Sequence, residues 1–152
     1  MKFVRDTNIG KIEIDEEGGF IIGVRFCGED FCPCSGGEPE VVKEAFRQIE
    51  QYLCGRLQKF TVPIKPEGTE FQKRVWQNLL KIPYGKTATY KEIAIRSGNS
   101  RAVRAVGMAN NRNPIAIIIP CHRVVSSGGR LGGYAGGAQI KVALLKIEGA
   151  KF

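Results

Sequence analysis

Thr89-Tyr90-Lys91-Glu92-Ile93-Ala94-Ile95-Arg96-Ser97-Gly98-Asn99-Ser100-Arg101-Ala102-Val103-Arg104-Ala105-Val106-Gly107-Met108-Ala109-Asn110-Asn111 reads as two short helices across a tight turn. Thr89 and Glu92 have the spacing of a capping box, in which hydroxyl and carboxylate each satisfy a backbone N–H left open by the first helical turn. That helix is predicted to end near Gly98. Ser100 is expected to cap the second helix, which runs to about Asn111. Two short helices joined by a tight Gly-containing turn are the signature of a helix-turn-helix, although an ordinary helical hairpin is commoner in general. The second helix is small and basic: Arg101, Ala102, Arg104, Ala105, Gly107 and Ala109. Small residues let a helix approach a groove closely, and arginines meet phosphates or base edges, so DNA is favoured.

Working outward, Thr69-x-x-Gln72 is another capping box, followed by the apolar stripe Phe71, Val75, Leu79 and a stop at Pro83-Tyr84-Gly85. Nearer the N-terminus, Ile9 to Ile14 and Phe20 to Phe26 read as a strand pair across Gly18-Gly19. Glu29 to Gly37 is turn-rich. Pro39 to Leu53 is helical by the spacing of Val42, Phe46, Ile49 and Leu53, with Gly55 as its stop. Phe60 to Glu67 holds Pro63 and Pro66 and reads as a linker. Downstream, Ile115 to Ile119 is expected to be a buried strand or extended segment. Ser126 to Gly137 has six glycines in twelve residues and must be a loop. Gln139 to Glu148 closes as a helix with Ile140, Ala143, Leu144 and Ile147 apolar. The expected class is α/β (α+β) in two domains: residues 1–68, a strand pair, a helix and a linker, and residues 69–152, mostly helical and winged-helix-like.

Charge divides the same way. Residues 1–68 carry 9 lysines and arginines against 12 acidic residues, whereas residues 69–152 carry 14 against 3. A basic half beside a mildly acidic one suggests a polyanion-binding surface confined to the second half, or a solvated basic face. No segment is long and apolar enough for a transmembrane helix, and Met1-Lys2-Phe3-Val4-Arg5-Asp6 lacks the apolar core of a signal peptide. A cytoplasmic monomer is expected. Five cysteines, an odd count, do not suit a closed disulfide framework.

The chemistry centres on Ile119-Pro120-Cys121-His122-Arg123-Val124, which holds the chain's one histidine directly after a cysteine. A thiolate is a strong nucleophile and imidazole its usual proton acceptor. Neighbours in sequence point apart, so direct transfer from Cys121 to His122 is awkward; a bend at Pro120 or a bridging water would solve this.

Pro120-Cys121-His122-Arg123-Val124 resembles the acceptor-cysteine motif of the O6-alkylguanine-DNA alkyltransferases. Asn113-Pro114, Tyr134-Ala135-Gly136-Gly137 and Leu144-Leu145-Lys146-Ile147-Glu148-Gly149 are similar to motifs on either side of it, as is the helix-turn-helix above. The resemblance runs from about Thr69 to Glu148. It implies repair of O6-alkylguanine, and possible action on O4-alkylthymine, in double-stranded DNA by irreversible alkyl transfer to Cys121. It implies a chain of thiol, water, His122 and Glu148, with Asn113 fixing the turn that packs the recognition helix on the acceptor loop. Arg104 would be the intercalating finger and Tyr90 the group that turns the phosphate and meets the base, with Arg101, Ala102 and Arg123 also at the DNA. Val124, Tyr134 and Ala135 would join Tyr90 around the extruded guanine. Ala135 stands where the family often has serine, so only a backbone N–H, not a hydroxyl, could reach O6 there.

No cofactor is expected. Cys27, Cys32, Cys34 and Cys54 supply the ligand types of a structural zinc site, but their spacing does not fit one, and thiols are favoured. Two rival functions stay open on sequence: a reader of alkylated DNA that does not repair it, although such relatives replace the cysteine, and a Cys-His-Glu hydrolase, which leaves the basic half unexplained.

Overall fold

A three-stranded antiparallel meander stands where two strands were expected: β1 (Lys2–Thr7), β2 (Gly10–Glu17) and β3 (Phe20–Phe26), in the order β1-β2-β3. In this computed structural model residues 1–28, 37–128 and 130–152 are described. The missed strand, β1, alternates weakly and buries Phe3, which lies opposite Ile14; pairing with β2 rather than its own pattern makes it a strand. Gly18 and Gly19 both take positive φ, 60° and 86°, as the two-residue turn from β2 to β3 requires. Helix α1 (Glu40–Leu53) packs on the sheet through Val42, Ala45, Phe46 and Ile49, all fully buried, as the periodicity predicts.

The outer edge of β3 is covered by two segments, one expected to be a linker and one expected to be a strand or extended segment. The expected linker pairs there through Ile64, with Ile21 N–H donating to the Pro63 carbonyl and Lys65 N–H to that of Ile21, each at 2.9 Å. Ile115 pairs beside Val24, whose N–H donates to the Pro114 carbonyl and whose carbonyl accepts from Ala116. Covering an edge in this way removes a row of open backbone groups. The segment expected to be extended to Ile119 is thus a single bridge followed by a turn, in which Ile117 has φ 70°. A β-branched residue is strained in that region and is held there by its surroundings.

The chain divides into two units: Met1–Glu67 with Pro114–Ile118, and Gly68–Asn113 with Ile119–Phe152. In the second unit α2 (Glu70–Leu80) and α3 (Tyr90–Arg96) open on the two predicted capping boxes, both bonds of each being present. The next helix, α4 (Val103–Asn111), starts later than expected and is capped at Ala102, not Ser100. Asn99 takes up the intervening turn, its side chain accepting from Arg101 N–H and its carbonyl from Ala102 N–H. Trp76 of α2 donates from Nε1 to the Ala109 carbonyl of α4 at 2.9 Å, and Asn78 donates to Ser97 Oγ beyond α3. Strands β4 (Ala88–Thr89) and β5 (Val124–Val125) pair in parallel, and α5 (Ala138–Ile147) closes the unit.

Candidate active site

Pro120 leads into a single 3-10 turn, Cys121–Arg123, that delivers the chain to β5. Successive side chains on such a turn diverge by about 120°, so thiol and imidazole do not share a face. Cys121 is 5% exposed. Burial raises its pKa, opposed by a hydrogen bond from the Asn113 side chain and by the charge of Lys141. Asn113 also donates from Nδ2 to the Ile119 carbonyl at 2.8 Å, which ties the end of α4 to the residues before the cysteine.

His122 is fully buried, and its Nε2 lies 2.7 Å from Oε2 of Glu148, the C-cap of α5. A carboxylate accepts, so Nε2 carries the proton and Nδ1 is the acceptor nitrogen. Burial lowers the His122 pKa, against the raising influence of Glu148. At neutral pH the ring is therefore a neutral base. The Glu148 carboxylate also accepts from the Gly85 N–H at 3.1 Å, from Arg123 Nε at 2.8 Å and from Arg123 Nη2 at 3.0 Å.

That last pair corrects the expectation for Arg123. Its guanidinium does not face DNA: it is buried, forked on Glu148, and its Nη1 donates to the Ile82 carbonyl at 2.7 Å. It orients the carboxylate that orients the imidazole.

Lys141 escaped the sequence reading. It is fully buried and donates to the Val124 carbonyl at 2.6 Å and to the Gly133 carbonyl at 3.2 Å, stapling β5 to the glycine-rich loop. Burial lowers its pKa to about 8. The signal was present: Lys141, Leu144, Leu145 and Glu148 share one helical face, so two ionisable residues flank the buried leucines. Asn110 was missed as well. It is buried on α4 beside Val106 and Ala109, and its Nδ2 donates to the Cys121 carbonyl at 3.4 Å.

Tyr90 starts α3, half-buried, with its hydroxyl accepting from the Gly133 backbone and its pKa raised by burial. Gly132, at φ 76°, leaves it room: a Cβ there would sit 2.7 Å from the Tyr90 hydroxyl oxygen. Tyr134 on the same loop has its pKa raised well above the ordinary value, first by burial and then by Cys121. Val124 is buried beside the cysteine turn, and Ala135 is exposed on the loop. Arg101 is exposed just before α4 and Arg104 is exposed in its first turn, with Ala102, at the helix cap, half-buried between them. Among the described residues the ion pairs of this unit all involve Glu148, so its other basic side chains, exposed Arg101 and Arg104 included, have no acidic partner.

Of the candidate zinc ligands, Cys32 and Cys34 lie outside the described residues. Cys27 and Cys54 are free thiols, and among the described residues no group of three or more His, Cys, Asp or Glu could hold a metal ion.

Two family models match this chain: 6-O-methylguanine DNA methyltransferase, ribonuclease-like domain, over residues 3–66, and 6-O-methylguanine DNA methyltransferase, DNA binding domain, over residues 70–150. The chain belongs to the 6-O-methylguanine DNA methyltransferase family. Among relatives, the methylated-DNA–protein-cysteine methyltransferase of Methanosarcina barkeri is 62% identical over 70% of this chain and 67% of its own length. That of Mycobacterium leprae is 44% identical over 94% of this chain and 88% of its own. The crystal structure of Mycobacterium tuberculosis OGT in complex with DNA matches with a TM-score of 0.87 at 41% identity, covering 97% of this chain and 92% of that one. This methyltransferase therefore acts in DNA repair by alkyl transfer and binds DNA. None of its described helices is long and apolar enough to cross a membrane.

Proposed function

We propose that Cys121 is the alkyl acceptor and that the site around it reverses O6-alkylguanine damage in a single irreversible step. The observation that carries this is the buried thiol beside a buried His122–Glu148 pair at 2.7 Å. The resting thiol is protonated, because burial raises its pKa. A water between the two side chains takes the thiol proton as His122 Nδ1 accepts one, and Glu148, braced by Arg123, stabilises the resulting cation. The thiolate attacks the alkyl carbon; the S–C bond forms, the C–O6 bond breaks, and its electron pair returns to the guanine, which regains a proton. The product is a thioether with no neighbouring group able to cleave it, so each molecule acts once.

Asn113 orients the thiol, and Tyr90, Val124, Tyr134 and Ala135 receive the extruded base. Arg104 fills the gap it leaves, while Arg101 and Ala102 meet the backbone. Functionally, residues 69–152 carry DNA binding and transfer, and residues 1–68 form a separate N-terminal domain that needs no metal or other cofactor. The protein works as a monomer in the cytoplasm, a reducing compartment that keeps the acceptor thiol available.

Intact-protein mass after incubation with duplex O6-methylguanine DNA tests the reading. One added methyl on the wild type and none on Cys121→Ser is expected, with DNA binding retained by the variant. Methylation of Cys121→Ser at the wild-type rate would overturn it. Tight binding with unchanged wild-type mass would mark a reader, and multiple turnover of an ester a hydrolase.

A further inference from the structure

The last turn of α4 offers the acceptor turn a second amide, which the transfer step leaves unused. Asn110 lies three residues before Asn113 and is 2% exposed. Its Nδ2 donates to the Cys121 carbonyl. That bond fixes which way the amide faces, because the reverse orientation would set two acceptor oxygens against each other. Oδ1 is then buried, and among the described residues it has no hydrogen-bond partner. Its own amide nitrogen is bonded to the backbone of the residue that carries the reacting sulfur. An open buried acceptor destabilises a fold, so one kept on a side chain bonded to the acceptor turn calls for a donor.

The substrate has one to give. Alkylation at O6 removes the proton from N1, leaving O6 and the unsubstituted ring nitrogens as acceptors. The exocyclic 2-amine is then the one N–H donor on the base. We infer that Asn110 is a specificity-determining residue: Oδ1 accepts from the 2-amino group of the extruded O6-alkylguanine while Nδ2 holds the Cys121 carbonyl. One planar amide thereby sets base and nucleophile in a common register. This rests on the repair reading above. An alkoxypurine without the 2-amine leaves Oδ1 open and reacts more slowly, because a site built for a donor rejects an analogue that lacks it.

The test compares second-order rates of methyl transfer to Cys121 from duplexes containing O6-methylguanine or O6-methylhypoxanthine, which differ only in the 2-amine. Wild type, Asn110→Ala and Asn110→Leu are measured, with melting curves to choose the folded variant. The wild type should prefer the amino substrate by roughly tenfold, and the variants should lose about fivefold of that preference. Any disturbance of the acceptor turn slows both substrates alike and cancels in the ratio. A variant ratio equal to that of the wild type, or a wild-type ratio near one, would overturn the assignment of Asn110. Absence of transfer to the wild type from either duplex would instead overturn the repair reading.

Discussion

Lys141 donates from full burial to two carbonyl oxygens, and its pKa of about 8 lies well below the ordinary 10.5 of an unfolded lysine. Between those values the unfolded chain binds more protons than the folded one. Stability should therefore gain a contribution as pH rises from 8 toward 10.5, and lose it as pH falls back through 8. Lys141→Met lacks this titration. Urea midpoints of wild type and Lys141→Met under reducing conditions should diverge across that interval, moving in favour of the wild type as pH increases. A difference that stays constant with pH would mean that Lys141 keeps its proton despite burial. The same side chain shows why residue-scale reading of the sequence ran short. A lysine on an amphipathic helix reads as a solvated face, and only the packed loop beside it turns it inward. Arg123 is the parallel case: the resemblance places it at the DNA, yet Glu148 accepts from two of its five donors.

At the scale of elements, α4 holds exposed Arg104 in its first turn and buried Asn110 in its last, with Asn113 just beyond its end, so one helix links the basic surface to the acceptor turn. Arg104→Ala should slow transfer from duplex substrate about tenfold more than transfer from the free base O6-benzylguanine, since extrusion costs a few kcal/mol and only the duplex needs it. Alkylation rates of Cys121 with the two substrates check this, and equal slowing of both would make Arg104 structural. Element prediction succeeded where local chemistry dominates. Thr69 and Thr89 form their capping boxes because the partner lies three residues away in the chain. It failed where a distant partner decides. Phe3 becomes a strand residue opposite Ile14, and the Pro-rich segment ending at Glu67 contributes Ile64 to the β3 edge. Ser100 lost the cap of α4 to a turn organised by Asn99.

For the whole molecule, charge is the widest-ranging property. Fourteen lysines and arginines against three acidic residues after position 68 make DNA binding dependent on counterion release. If about four of them meet phosphates, log K should fall with log salt at a slope of roughly −3.6 on duplex DNA. Titrations between low and physiological salt check it, and affinity unchanged by salt would remove the electrostatic account. The amino-acid sequence by itself determined a thiol beside an imidazole, a pair of short helices and the division of charge, because nucleophile, caps and net charge are properties of residues and their near neighbours. The tertiary structure alone decided that Arg123 and Gly85 converge on Glu148, the partner of His122, that Lys141 faces inward, that Asn110 reaches the cysteine backbone, and that residues 114–118 pack with the first unit while Cys121 belongs to the second. Each of these joins groups far apart in the chain. Their burial and pairing arise only when packing removes water from between them.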